Sequence, residues 1–333
     1  MPELAFLDLS TTDAAFNLAA EQHVFDVLPR DRSWCLLWQN RSAVVIGKYQ
    51  NTLAEIDLPF VEQAGIQVVR RLSGGGAVYH DLGNLNFTYI TDAGDLETLD
   101  LRRFCLPIVK ALAALGVQAE INGRNDVTIG GKKFSGNAQY LRGGRILHHG
   151  TLLFDSDLSV VTRALRVDEE KIRAKGLRSV RSRVTNIRPC LPRDRTLEEF
   201  RQVLIDAFAA ECRGERLAFS GEDLAAIDML RESRYARWDW NYGASPEGTL
   251  LLRRRFEGCG TVEAQILLEH GRIASLRFSG DFFSLEEPEA LAARFVGLRP
   301  EREDYAAALA DIDVSRTFLG LDREGLHSLL CEE

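Results

Sequence analysis

The chain has 333 residues, 45% of them apolar and 27% charged, and a formal net charge of −8. That length supports about two domains with a substantial core, and the composition excludes disordered and fibrous classes. The acidic balance argues against a general nucleic-acid binder, and no window approaches the roughly 18 continuous apolar residues of a membrane span. The start, Met1-Pro2-Glu3-Leu4, lacks the basic segment and apolar core of a secretory signal. Six cysteines (Cys35, Cys105, Cys190, Cys212, Cys259, Cys331) are scattered without a C-x-x-C pair, which fits a reducing cytoplasm. Cys35 and Cys105 sit among apolar neighbours and read as small buried hydrophobes.

Residues 4–8 read as a short strand, and Ser10-Thr11-Thr12-Asp13 offers a helix start. The helix after it carries Phe16, Ala19, Ala20, Val24 and Val27 on one apolar face. Residues 34–38 and 43–46 are strand-like, and a helix is predicted over 57–64. Residues 85–90 alternate Leu85, Phe87, Tyr89 against Asn86, Thr88, Ile90, the pattern of a half-exposed strand. A helix over 99–115 ends at Gly116. Strands are predicted over 117–121, 127–129 and 146–154, with a polar glycine-rich segment at 130–144 between the last two. Helices follow over 158–165 and 197–212, and the pattern weakens from 214 to 248. The remainder holds a hairpin, 262–268 with 272–278, and helices over 288–296, 305–309 and 325–330. The expected fold class is α+β, a mixed β-sheet flanked by helices over residues 1–245 with a small α+β domain over 246–333.

Four segments carry chemistry. In Arg70-Arg71-Leu72-Ser73-Gly74-Gly75-Gly76-Ala77-Val78-Tyr79-His80-Asp81, three glycines let backbone N–H groups approach an anion, and two arginines can neutralise phosphate. The block is neither a Walker A loop nor G-x-G-x-x-G, and a tight strand connection with two solvated arginines is the other reading. Gly123-Arg124-Asn125-Asp126 followed by Lys132-Lys133-Phe134-Ser135-Gly136-Asn137-Ala138 offers a lysine between small residues. A compact ammonium there can hold a carboxylate beside a phosphate; alternatively Lys132 and Lys133 are an exposed pair in a hairpin turn. His148 and His149 neighbour a strand, where adjacent side chains point to opposite faces and cannot easily share one metal. They could act as acid or base, or be packed and hydrogen-bonded. The basic run Lys171, Arg173, Lys175, Arg178, Arg181, Arg183 could close over a nucleotide, receive an acidic partner, or be a solvated face.

Together these segments, with Phe16-Asn17-Leu18-Ala19, Val44-Val45-Ile46-Gly47, His148-His149-Gly150-Thr151-Leu152-Leu153 and Ser179-Val180-Arg181-Ser182-Arg183-Val184-Thr185-Asn186, resemble the lipoate–protein ligase family in order and spacing. The matches span roughly residues 14 to 190, and Gly280-Asp281-Phe282-Phe283 resembles the family's accessory domain. The resemblance implies a fold shared with biotin–protein ligase catalytic domains. It also implies ATP-dependent activation of lipoate to lipoyl-AMP and transfer to a lysine of apo lipoyl domains. Those domains would belong to 2-oxoacid dehydrogenase acyltransferase subunits or to the glycine-cleavage carrier protein. By matching positions, Arg71, Gly76, Ala77, Val78, Tyr79 and Lys133 would bind ATP, and Lys133, the catalytic residue, would contact the lipoate carboxylate and the α-phosphate. Arg71, Ser73 and His149 would join Lys133 at lipoate. Lys175, Gly176, Arg181 and Arg183 would lie on a loop that orders over the adenylate, and Asp126 would stand beside Mg2+. Three rivals are an ATP-independent octanoyl or lipoyl transferase with a cysteine nucleophile such as Cys190, a biotin–protein ligase, and a non-catalytic lipoate-binding or carrier-docking protein.

Overall fold

In the computed structural model the described residues are 3–93, 102–122, 125–165, 184–210, 213–242, 250–269 and 272–331. The contacts of the chain sort into two units. The first comprises Met1–Val45, Glu55–Arg70 and Val78–Arg237; the second comprises Ile46–Ala54, Arg71–Ala77 and Trp238–Glu333. The boundary expected at 245/246 falls in residues 243–249, outside the described residues.

The first unit is built on strands β1 (Glu3–Asp8), β2 (Ser33–Trp38), β3 (Ala43–Ile46), β4 (Gln67–Arg70), β5 (Val78–His80), β6 (Asn84–Asp92), β7 (Glu120–Asn122), β8 (Asp126–Ile129), β9 (Lys132–Arg142), β10 (Arg145–Leu153) and β11 (Arg213–Leu217). Eight of them form one sheet in the order β11-β1-β2-β6-β10-β9-β8-β7, and β4-β3-β5 form a smaller one. β1 runs parallel to β2 and β11 while β2, β6, β10, β9, β8 and β7 pair antiparallel, so the sheet is mixed as expected. Its helices are α1 (Ala14–Asp26), α2 (Leu58–Gln63), α3 (Arg102–Ala114), α4 (Leu158–Ala164), α5 (Leu197–Ala210) and α6 (Gly221–Leu230).

β6 lies between β2 and β10 and departs from the half-exposed reading. Leu85, Asn86, Phe87, Thr88 and Ile90 are all buried. The polar members enter the interior because each finds a partner. Thr88 Oγ1 accepts from Trp38 Nε1 at 2.9 Å and donates to Glu21, and Asn86 Oδ1 accepts from Asn84 Nδ2 at 2.8 Å. α1 likewise is not a one-faced helix. Asn17, Glu21, Gln22 and His23 are buried beside the apolar residues, whereas Val27, beyond the helix end, is 63% exposed. The cause is a second layer over α1: His23 Nε2 lies 2.8 Å from Asp223 of α6, and Gln22 Oε1 accepts from the Tyr235 hydroxyl at 2.8 Å. Asp13 caps the helix through Ala15 N–H, inside the start cluster read from the sequence.

The opposite face of the sheet carries the apolar core. Cys35, Leu37, Leu85, Phe87, Val127, Phe134 and Leu152 pack there against Cys105, Ile108, Leu112, Phe200 and Leu204 of α3 and α5. The polar glycine-rich segment 130–144 is mostly β9, the longest strand among the described residues; its glycines mark turns and close approaches within strand pairing. Residues 214–248, with little pattern, contain β11 and α6. β11 escapes periodicity because it joins β1 at the edge of the sheet, a placement set by tertiary pairing.

The second unit has an antiparallel sheet of β12 (Leu250–Phe256), β13 (Gly260–Glu269) and β14 (Arg272–Gly280). Helices α7 (Pro288–Ala292), α8 (Arg302–Leu309), α9 (Val314–Thr317) and α10 (Arg323–Leu330) complete it. Phe278, Phe282, Phe295, Phe318 and Leu326 fill its core. The hairpin and the helices α7, α8 and α10 match expectation; β12 and α9 are additional elements.

His148 and His149 confirm the alternation rule, one on each face of β10. His148 is wholly buried, stacked on Phe104 at 4.8 Å, with Nδ1 3.1 Å from Gln139 Nε2. Burial, reinforced by His149, holds its pKa well below the usual imidazole value, so it is neutral in the folded state. The unfolded chain binds a proton near pH 6.5 that the folded chain refuses, so stability falls as the pH drops through that value. Thermal melts at pH 7.5 and 5.5 are expected to show a lower melting temperature at the acid value, and a His148→Leu variant a smaller difference between the two.

Candidate functional site

Lys133 lies where the β8–β9 register breaks. Thr128 pairs with Lys133 and Val127 with Ser135, so Phe134 is an extra residue in β9. Such a bulge re-aims the neighbouring side chains. Phe134 enters the apolar core with Val127, while Gly136, opposite Asp126, faces the same side as the Lys133 ammonium. Lys133 Nζ is 2.6 Å from Asp126 Oδ1, with the two side chains 25% and 17% exposed. Pairing is what permits an ammonium to be held at this depth. The hairpin-turn reading therefore fits Lys132, which is exposed, and not Lys133.

Across the strand, Thr151 Oγ1 accepts from Gly136 N–H at 3.1 Å, and His149 lies opposite Ala138. This side of the sheet thus places Lys133, Gly136, Ala138, Thr151 and His149 in neighbouring rows. His149 Nδ1 is 3.0 Å from Glu21 Oε1, both residues buried, and the same carboxylate accepts from Thr88. The carboxylate orients the ring, leaving Nε2 as its second hydrogen-bonding atom. The backbone of Lys133 is also tied to residues 184 and 185: it bridges Val184, and its carbonyl accepts from Thr185 N–H at 2.9 Å. Lys175, Gly176, Arg181 and Arg183 lie outside the described residues, as does Arg124.

Val78 and Tyr79 belong to β5, paired with Val45 and Val44. The buried Tyr79 hydroxyl is 3.2 Å from Ser42 Oγ, and burial raises its pKa. The preceding loop, with Arg71, Ser73, Gly76 and Ala77, groups with the second unit. Both arginines are buried, which removes the solvated reading. Arg71 Nε donates to Ser73 Oγ at 3.0 Å, and Nη2 donates to the carbonyls of Gly74 at 2.7 Å and Gly76 at 2.9 Å, so the guanidinium closes the loop on itself. Gly75 N–H donates to Phe282 O at 3.2 Å, and a Cβ on Gly74 would lie 2.3 Å from that oxygen. At Gly76, by contrast, a Cβ would meet open space.

Asp126, assigned beside a metal by the resemblance, holds the Lys133 ammonium here, and no group of three metal-binding side chains occurs among the described residues. Thr151 and Glu21 were not singled out in the sequence. Neither has a distinctive signal in the sequence: Glu21 stands beside Gln22 and His23 in a helix that also holds Asn17, and Thr151 follows His149 and Gly150. The thiol of Cys190 lies 3.5 Å from Asn186 O and packs at the border of the apolar core. Among the described residues no helix is long and apolar enough to cross a membrane.

The family model described as the lipoyl protein ligase A/B catalytic domain matches residues 13–209, and that of the bacterial lipoate protein ligase C-terminus matches 245–330. The chain is 40% identical over 332 residues to lipoate-protein ligase LplJ of Bacillus subtilis, covering 98% of this chain and 100% of that one. It is 39% identical over 319 residues to lipoate–protein ligase 1 of Staphylococcus aureus, covering 96% and 97%. A solved lipoate-protein ligase A bound with ATP aligns with TM-score 0.62 and 26% identity, over 73% of this chain and 99% of that chain. A Thermoplasma acidophilum structure, of a bi-partite lipoate protein ligase and its E2 lipoyl domain, aligns with TM-score 0.66 and 29% identity, over 75% and 100%.

The packing of the glycine loop has a measurable consequence. Gly74→Ala is expected to cost about 1–3 kcal/mol of stability through overpacking against Phe282 O, read from urea denaturation. Gly76→Ala, with open space around its Cβ, is expected to leave the denaturation midpoint in place.

Proposed function

The chain belongs to the lipoate–protein ligase family, and from that premise we propose that it joins lipoate to apo lipoyl domains through a lipoyl-AMP intermediate. The observation that carries the reading is the Lys133 ammonium, set by a strand bulge over a glycine and held by Asp126. In the first step a lipoate carboxylate oxygen attacks the α-phosphorus of ATP, forming the mixed anhydride and releasing pyrophosphate. Two anions must approach each other, and Lys133 contacts both, offsetting their repulsion as charge builds on the phosphoryl oxygens. In the second step the amine of a carrier lysine attacks the acyl carbon, the amide forms and AMP leaves. The remaining contribution of the protein is orientation.

Arg71, Gly76, Ala77, Val78 and Tyr79 are assigned to the nucleotide, and Arg71, Ser73 and His149 join Lys133 at lipoate. Lys175, Gly176, Arg181 and Arg183 are assigned to the segment that closes over the adenylate; the tie between Thr185 and Lys133 supports a link between that segment and the ammonium. Mg2+ sites at nucleotides use phosphate oxygens and one or two carboxylates, and Asp126, partly exposed and in contact with the Lys133 ammonium, is the carboxylate that would hold it. Bound there, Mg2+ supplies charge neutralisation on the phosphates. The carriers are apo lipoyl domains of 2-oxoacid dehydrogenase acyltransferase subunits or the glycine-cleavage carrier protein, and the setting is the cytoplasm, in keeping with five free cysteines among the described residues. The cysteine-dependent transferase is disfavoured, since Cys190 is engaged with Asn186 O at the edge of the apolar core.

Incubation with lipoate, Mg-ATP and an apo lipoyl domain is expected to add one lipoyl mass to the carrier. Lys133→Ala is expected to lower lipoate-dependent pyrophosphate exchange roughly 10²- to 10³-fold at an unchanged melting temperature. Exchange at the wild-type rate in that variant would refute the role of Lys133.

A further inference from the structure

We infer that Gly136 is a positioning residue for Lys133: its missing side chain is the seat on which the ammonium rests. The inference rests on the role proposed for Lys133 and adds the element that fixes where the charge sits.

A Cβ built on Gly136 would lie 2.8 Å from Lys133 Nζ and 3.0 Å from its Cε, while the next atom, Thr151 Oγ1, is 3.9 Å away. The crowding is therefore with the far end of a flexible side chain and with no backbone atom. Gly136 is not among the glycines with positive φ, so its backbone suits alanine as well. Its N–H is held by Thr151 Oγ1 at 3.1 Å, which fixes the strand beneath the ammonium. On its other side the ammonium is held by Asp126 at 2.6 Å. Real Cβ contacts under 3.0 Å are essentially unknown and ordinary contact begins at 3.4 Å, so a methyl at position 136 displaces Nζ, by about 0.6 Å where ordinary contact is restored.

Gly150, on the neighbouring strand, has the opposite character. A Cβ there would strike Asn137 Oδ1 at 2.2 Å and the Phe87 ring at 2.5 Å, both in the packed interior. Gly150 is required by the fold. Gly136 is required by the position of one charged atom, and the reaction is sensitive to that position because misplacement by about 1 Å can cost roughly 10² in rate.

The test compares wild type with Gly136→Ala, Gly150→Ala, Lys133→Ala and the Lys133→Ala/Gly136→Ala double variant. Melting temperature, the kcat and KM of lipoate-dependent pyrophosphate exchange, and lipoate binding by calorimetry are measured. Gly136→Ala is expected to keep the wild-type melting temperature and lose roughly 10- to 100-fold in kcat, with Gly150→Ala melting lower. In the Lys133→Ala background, Gly136→Ala is expected to change neither exchange nor lipoate affinity further. Wild-type kcat in Gly136→Ala, or an equal loss with and without Lys133, overturns the inference, as does unfolding of Gly136→Ala like that of Gly150→Ala. Wild-type exchange in Lys133→Ala is a separate result: it removes the role of Lys133 itself.

Discussion

An ammonium three-quarters withdrawn from water must have a counter-charge, and the pair of Lys133 with Asp126 meets that requirement in the first unit. Its geometry is not available to a regular strand. With strict alternation, Lys133 would share a face with Ser135; the extra residue at Phe134 puts it on the side of Gly136 and Asp126. One inserted residue thus delivers an aromatic ring to the core and a cation to the site. The pairing also orients the lysine, with the Asp126 carboxylate as its contact.

The two faces of the eight-stranded sheet divide the chemistry. One is sealed by α3 and α5 with aliphatic and aromatic side chains, and its histidine, His148, is kept neutral by burial. The other carries buried polar groups in rows, with Glu21 as the shared acceptor of Thr88 and His149 and with Thr151 holding Gly136. Polar groups in such a setting are costly unless satisfied, and Glu21 of α1 accepts from Thr88 and meets His149 there. A rigid, hydrogen-bonded floor is the support that a precisely aimed functional group needs.

The triple-glycine loop shows how one sequence feature serves two demands. At Gly74 the absent Cβ admits the Phe282 carbonyl, so the constraint is packing inside the second unit. At Gly76 nothing in the described structure fills the space, which leaves that glycine to the proposed nucleotide. Arg71 spends its donors on the carbonyls of the same loop and on Ser73, holding the turn in shape before any anion arrives.

The amino-acid sequence by itself determined the mixed α+β class, most strands and helices, the opposite facing of His148 and His149, and, through the glycine block and the Lys133 segment, the family. Those features are local: periodicity, caps and motif spacing are written in neighbouring residues. Tertiary structure decided what neighbours cannot specify. β6 became buried on both faces because α1 covers one and α3 and α5 the other, α1 took polar residues inside because α6 covers it, and β11 became a strand by joining β1. The bulge at Phe134, the union of Lys133 with Asp126 seven residues earlier, and the grip of Thr151 on Gly136 all depend on register between strands, a long-range quantity that a pattern along one strand leaves free.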